Sequence, residues 1–250
     1  MDEHQEAVFF SLHSGMPRQG PGDRESTRRA FSLCKAMPDR PTIADVGCGP
    51  GQQTLYLSEL TRGPLIAVDL YPIYLQELQQ RIAESRRRAA IALLRADMAD
   101  LPFRRESLHG IWAEGAIYIV GFETGLRAWR PLLKLGGYLA ATEITWFTPQ
   151  PQAAVRRFWS EAYPPMTDIE ENLRTAKKCG YAVAGCFALP ERAWWQDYYR
   201  CIEAKLPALK KRFSDDPAAQ QVLDLEQIEI DLYRQHHNAY GYVFYVLQKR

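Results

Sequence analysis

Three glycines stand at alternate positions, Gly47, Gly49 and Gly51, directly after a short apolar run, in the stretch IADVGCGPGQQT from Ile43 to Thr54. A glycine turn between a strand and a helix lets backbone amides approach a ligand closely, and several cofactors are held that way, most often dinucleotides. The dinucleotide fingerprint G-x-G-x-x-G places its third glycine where this chain has Gln52. Asp45 also lies inside the strand end, and a negative charge there suits a cationic ligand better than a pyrophosphate. Two further acids follow. Asp69 closes the next apolar run, where an acid accepts hydrogen bonds from ribose hydroxyls. Asp97-Met98 closes the one after, where a side-chain acceptor and a flat apolar group can flank an adenine. One glycine turn is weak evidence; a glycine turn with acids at three successive strand ends is a nucleoside site.

Those acids share an edge only if the strands are parallel neighbours. The middle of the chain alternates strand-like and helix-like segments, which argues for an α/β architecture with helices on both faces of the sheet. Strands are predicted over TIADVG, PLIAVDL, about Ala90–Ala96, LHGIWAEG, YLAATEITW, YAVAGCFAL and YGYVFYVLQ. Helices are predicted over QQTLYLSEL, YLQELQQRIAESRRR, and ETGLRAWRPLLKL with a stop at Gly136-Gly137. Asp23 can cap a helix that Pro38 ends, and Asp216-Pro217 opens a helix with an apolar stripe of Val222, Leu225, Ile228 and Leu232. One domain is expected over residues 1–250. It comprises an N-terminal helical cover at 1–40, a core at 41–148, 180–190 and 239–248, and helical insertions at 149–179 and 191–238.

Lys plus Arg number 31 against 30 Asp plus Glu, a net charge of +1, which leaves no electrostatic footprint for nucleic acid or an anionic membrane. The runs Arg86-Arg87-Arg88 and Lys210-Lys211-Arg212 read as cations at helix ends. Five cysteines without a CxxC pair read as free thiols in a reducing compartment, and no metal site is expected. The acidic N-terminus is unlike a signal peptide and no apolar run reaches a membrane span, so a cytoplasmic protein is expected.

The segments DVGCGPG, AVDLYP and RADMADLPF resemble motifs I, post-I and II of class I S-adenosylmethionine-dependent methyltransferases. RQGPG (18–22), WAEGAIYIVGFE (112–123), FWSEAYPPM (158–166) and YGYVFYV (240–246) extend the resemblance to a bacterial subgroup of small methyltransferases over nearly the whole chain. The resemblance implies a Rossmann-like, seven-stranded sheet whose last strand is antiparallel, with S-adenosyl-L-methionine as cofactor. It implies that Gly47, Gly49 and Gly51 approach the methionine part, that Asp45 lies near its amino group, and that Asp69, followed by Leu70, binds the ribose. Asp97 and Met98 then bracket the adenine. His109 departs from the family, which begins its fourth strand with an aspartate; local effects on capping are expected there.

Methyl transfer from a sulfonium is a direct displacement, so the protein must align the acceptor and exclude water, and a base is needed only if the acceptor carries a proton. Glu114 and Tyr118, just past the fourth strand, are the candidates to meet the acceptor, against the alternatives of a bonded loop carboxylate and a packed tyrosine. Arg18 is a candidate to fold over the cofactor's carboxylate or an acidic substrate, against the alternative of a surface arginine; Glu143 and His13 are further candidates. Glu114 with Glu123 has the spacing of a guanidinium clamp of protein arginine methyltransferases, but no Thr-His-Trp loop follows. Phe158, Trp159, Tyr163, Trp194, Trp195, Tyr198 and Tyr199 divide between a lid over a compact acceptor and glue between insertion and sheet. A small-molecule methyltransferase is the first reading; a non-catalytic binder of the cofactor is the second, and a protein methyltransferase follows.

Overall fold

Strands buried on both faces need almost unbroken apolar sequence, and β1 (Ile43–Val46) is buried at all four residues, Asp45 included. Around it the computed structural model, which describes residues 2–84 and 90–250, builds one mixed sheet. Its further strands are β2 (Leu65–Asp69), β3 (Ile91–Arg95), β4 (Leu108–Ala113), β5 (Leu133–Trp146), β6 (Thr167–Asp168), β7 (Tyr181–Ala188) and β8 (Tyr240–Lys249). The order is β3-β2-β1-β4-β5-β8-β7, with the two-residue β6 added beside β5 to the seven strands expected. β8 runs antiparallel to both neighbours, and the other pairings are parallel. The chain moves outward from β1 to β3 and then returns to β4. That reversal opens a crevice at the carboxyl ends of β1 and β4, where open α/β sheets bind ligands.

The helices are α1 (Glu3–His13), α2 (Arg24–Leu33), α3 (Gln52–Leu60), α4 (Pro72–Glu84), α5 (Phe122–Trp129), α6 (Ala153–Ala162), α7 (Ile169–Lys178), α8 (Arg192–Trp194), α9 (Arg200–Arg212) and α10 (Pro217–His236). Local chemistry fixes several starts. Asp2 and Gln5 form a capping box on α1, and Asp23, Asp168 and Asp216 accept from the third residue of α2, α7 and α10. One sheet face buries Val46, Ile111, Leu139 and Val243 with Leu126 and Trp129 of α5 and Ala176 of α7. The other buries Ile43, Leu65, Trp112 and Phe244 with Ala30 of α2 and Leu57 of α3. A third cluster joins Val8 and Leu12 of α1 to Trp159, Trp194, Tyr199, Ile230 and Tyr233.

Two expectations change, and one alternative is resolved. The helix expected to run to Gly136 ends at Trp129, because Pro131 has no amide for the helical ladder. A 3₁₀ turn over Arg130–Leu132 follows, and β5 takes up Leu133–Gly137 with a shifted register against β4. Gly136, at φ 77°, permits that bend. On α10 the buried line runs through Ala219, Val222, Leu223, Ile230 and Tyr233, whereas Leu225 and Ile228 are exposed. The aromatic residues of the insertions are mainly core: Trp194 stacks on Tyr233 at 4.1 Å, and Trp159 meets Tyr240 edge-on. The cations of 210–212 do close α9, while Arg86-Arg87-Arg88 lies outside the described residues. His109 accepts from the Thr42 amide at 3.0 Å, bracing the start of β4.

Candidate active site

Gly47, Gly49 and Gly51 have φ of 69°, 53° and 83°, a region that side-chain-bearing residues rarely adopt. Space adds a second constraint. A Cβ on Gly47 would lie 2.5 Å from the Ala116 Cβ and 3.2 Å from Met98 Cε, and one on Gly51 would run into Leu78 of α4. Asp69 ties this turn to β2: Oδ2 accepts from the Gly49 amide at 2.8 Å and Oδ1 from the Tyr71 amide at 2.9 Å. Burial raises the Asp69 pKa, with those amides opposing. Each oxygen retains a second lone pair for a ligand hydroxyl.

The turn opens on a cavity of about 390 Å³, within the range of small-molecule sites. Gly47, Gly49, Asp69, Leu70, Asp97 and Met98 form one side, and Gly115, Ala116 and Tyr118 form the end wall. Phe9 and Phe10 of α1, with Gln19, Tyr71 and Tyr74, make up a further side, where Gln19 lies against Gly49 and the Tyr71 amide donates to Asp69. Gln19 is fixed there, accepting from the Tyr74 hydroxyl at 3.1 Å and donating to the His13 carbonyl at 3.0 Å. Sequence reasoning missed this side, because its members come from α1, the following loop and α4.

Asp45, Glu114 and Arg18 stand behind the wall and do not line the cavity. Asp45 is fully buried, with Oδ2 accepting from Thr54 Oγ1 at 2.5 Å and Oδ1 unpartnered. Burial pushes its carboxyl up to about 7, with the Thr54 hydrogen bond opposing and the Glu114 charge adding. Glu114 is saturated: Oε2 accepts from Arg18 Nη2 at 2.6 Å, and Oε1 from Thr27 Oγ1 at 2.7 Å and Trp112 Nε1 at 2.9 Å. The Arg18 guanidinium packs where a Cβ on Gly22 would be. In this geometry Glu114 and Arg18, candidates to meet the acceptor and the cofactor's carboxylate, are paired with each other and do not line the cavity. Together they anchor the N-terminal loop to the end of β4. Glu123 is elsewhere, exposed and bonded to Arg127 at 2.6 Å, so no guanidinium clamp forms on the cavity.

Tyr118 does reach the cavity, on the 3₁₀ turn Ile117–Ile119. Although 41% of the residue is exposed, burial of the hydroxyl end and the charges of Glu229, Glu226 and Glu143 push it up to about 12. Tyr163 meets the Tyr118 ring edge-on at 6.0 Å. Glu143 is 2% exposed, with Oε2 unpartnered, and burial pushes it up to about 8 against the influence of Tyr163. His13 is buried, stacked on Phe9, with Nε2 at 3.3 Å from Glu226, and is not on the cavity. Glu226 and Glu229 were missed in the sequence. The available signal is that position 226 falls on the buried line of α10, between Val222 and Ile230.

Residues 43–137 match the family model of a methyltransferase domain. The chain is 30% identical to the uncharacterised methyltransferase YodH of Bacillus subtilis (strain 168) over 139 residues, 56% of this chain and 58% of that one. The match thus spans little more than half of that relative's length. A S-adenosylmethionine-dependent methyltransferase from Thiobacillus denitrificans, solved with S-adenosylhomocysteine, superposes with a TM-score of 0.80 at 18% identity, covering 97% of this chain and 98% of that one. The [4+2]-cyclase SpnF shares the fold with a TM-score of 0.72 at 16% identity, covering 98% and 92%.

Proposed function

The core of this chain is a class I S-adenosylmethionine-dependent methyltransferase domain, and on that footing we propose that the protein transfers the methyl group of S-adenosylmethionine to a small-molecule acceptor by direct displacement. The observation that carries this reading is the convergence of the glycine turn, Asp69 and Asp97-Met98 on one cavity. The residues fit the cofactor: Gly47 has no room for any side chain, so its backbone itself forms the cavity surface. Asp69 is held by two amides at the end of β2, with lone pairs left for ribose hydroxyls. Met98 packs over Gly47 and Asp97 lines the same cavity, where the two would flank an adenine. S-adenosylmethionine, when bound, supplies a methyl group on a sulfonium that leaves without an acid's help.

The chain's own work is then alignment and exclusion of water. Phe9, Phe10 and Gln19 cover the glycine turn, and Tyr118 forms the wall beside which an acceptor is placed. The near-zero net charge disfavours nucleic acid as that acceptor. One fold carries many reactions, as the cyclase shows, so turnover decides this reading. The test incubates purified protein with S-adenosylmethionine and a panel of amines, phenols, thiols and carboxylic acids, with S-adenosylhomocysteine quantified by mass spectrometry. Acceptor-dependent product supports the reading. Cofactor binding without turnover on any acceptor replaces it with the non-catalytic binder.

A further inference from the structure

Gln52 stands where a dinucleotide turn carries its third glycine, and its side chain does not line the cavity. Its Oε1 accepts from Arg81 Nη1 of α4 at 3.2 Å. The same guanidinium reaches a third segment: Nη1 donates to the Pro17 carbonyl at 3.2 Å and Nη2 to the Met16 carbonyl at 3.0 Å. Both carbonyls belong to residues 14–20, the connection that leaves α1. A Cβ on Gly49 would lie 3.3 Å from Gln19 Cγ, and one on Gly20 would lie 3.8 Å from Gly115 Cα. Residues 19 and 20 thus span from the glycine turn after β1 to the residues just past β4, and roof the crevice between them. This roof is neither helix nor strand. Side-chain donors hold it and the end of α1: Lys205 takes the Leu12 and Ser14 carbonyls, Gln19 takes His13, and Arg81 takes Met16 and Pro17. Tyr74 of α4 donates to Gln19 at 3.1 Å, and Leu78 packs where a Cβ on Gly51 would be. Positions 74, 78 and 81 share one helix face, so one face of α4 supports both the glycine turn and its roof. Hydrogen bonds from a charged donor are the stronger kind, and those of Arg81 join α3, α4 and the roof.

Resting on the methyltransferase reading, we propose that Arg81 is a positioning residue: through Gln52 and the Met16 and Pro17 carbonyls it holds the roof over the amino-acid end of the cofactor. On that reading the amino-acid end lies on the glycine turn, beneath Gln19, and the nucleoside lies on Asp69 and Asp97-Met98. Arg81 does not line the cavity, so its effect on a ligand passes through the roof. A ligand that keeps the nucleoside and lacks the amino-acid end is therefore indifferent to Arg81. Methionine at position 81 keeps an apolar stem and no donor. Lysine keeps the charge but offers a single donor head to three acceptors arranged around a planar fork.

The test is calorimetry on the full chain with two probes, S-adenosylhomocysteine and methylthioadenosine, which keeps the nucleoside and the sulfur and lacks the amino-acid end. Binding of S-adenosylhomocysteine to the wild-type protein tests the cofactor reading by itself; its absence fails that reading and the proposal with it. Arg81→Met is expected to weaken S-adenosylhomocysteine about tenfold and methylthioadenosine by less than about twofold, with Arg81→Lys between wild type and Arg81→Met for the first probe. Should Arg81→Met fail to fold, as urea unfolding reports, Gln52→Leu loosens the same clasp from α3. That variant is expected to weaken S-adenosylhomocysteine about threefold and to leave methylthioadenosine unchanged. Equal losses for the two probes would make the clasp a general support of the fold, and unchanged S-adenosylhomocysteine affinity would show that the roof's position is without effect. Either result overturns the proposal and leaves the cofactor reading standing.

Discussion

Around the glycine turn and the end of β4, Asp69 holds two amides and Glu114 holds Arg18, Thr27 and Trp112, while Asp45 keeps one oxygen without a partner. On β5 and in the helical insertions, by contrast, Glu143, Glu226 and Tyr163 keep buried polar atoms without partners. A saturated carboxylate fixes a backbone path, as Glu114 does for residues 18–27. An unsaturated one meets its desolvation cost by holding its proton, as burial raises Glu143 to about 8. The two regions thus differ in how their carboxylates are held, by donors at Asp69 and Glu114 and by burial at Glu143.

The largest test of this contrast is Arg18→Met. It leaves Glu114 buried and uncompensated, and is expected to cost about 3–5 kcal/mol of stability in urea unfolding; a loss below about 1 kcal/mol would mean that Glu114 is not anchored as described. Next comes Gly47→Ala, where positive φ and the approach of Ala116 oppose any Cβ. A cost of about 1–3 kcal/mol is expected, together with loss of S-adenosylhomocysteine binding; unimpaired binding would show that the turn is not the cofactor's support. Asp69→Asn keeps the shape and removes the charge. It is expected to weaken S-adenosylhomocysteine about tenfold, roughly 1.4 kcal/mol, with little change in stability.

The smallest effect is on pH dependence. Burial holds Glu143 at about 8 in the folded protein, above its ordinary value of 4.5, so the native state binds more protons across that window. Stability of the ligand-free protein therefore falls as pH rises from roughly 5 to 8, by on the order of 1 kcal/mol per pH unit for such a group. Asp45 and Glu229 act in the same direction. Glu143→Gln is expected to make the slope shallower without abolishing it, as read by urea midpoints at successive pH values. An unchanged slope would place Glu143 in contact with water.

The glycine turn and the acid that ties it were legible because their information is local. The glycines and the acid that ties them lie between residues 45 and 69, and hydrophobic runs announce the strands between them. The acids at the strand ends could therefore be named from spacing alone. Glu114 was singled out, but its partner Arg18 is 96 positions away, and nothing in either segment reports the pairing. The cavity's further side is assembled from α1, the following loop and α4, which only tertiary packing brings together. The apolar stripe read on α10 was misplaced by one line of the helix, since Leu225 and Ile228 face outward. Reading the line through Ala219, Val222 and Ile230 instead puts Glu226 among buried residues, an anomaly visible in the sequence once the face is known. Pro131 was also there to be read as the end of α5, ahead of the more conspicuous Gly136-Gly137.

The central claim, that the glycine turn and Asp69 hold S-adenosylmethionine, is tested most directly by titrating wild-type protein and Asp69→Ala with S-adenosylhomocysteine in a calorimeter, with NADH as the control ligand. Micromolar binding of S-adenosylhomocysteine to the wild type, lost in the variant and absent for NADH, is the predicted result. Binding of NADH alone, or equal binding of S-adenosylhomocysteine to both proteins, would contradict it.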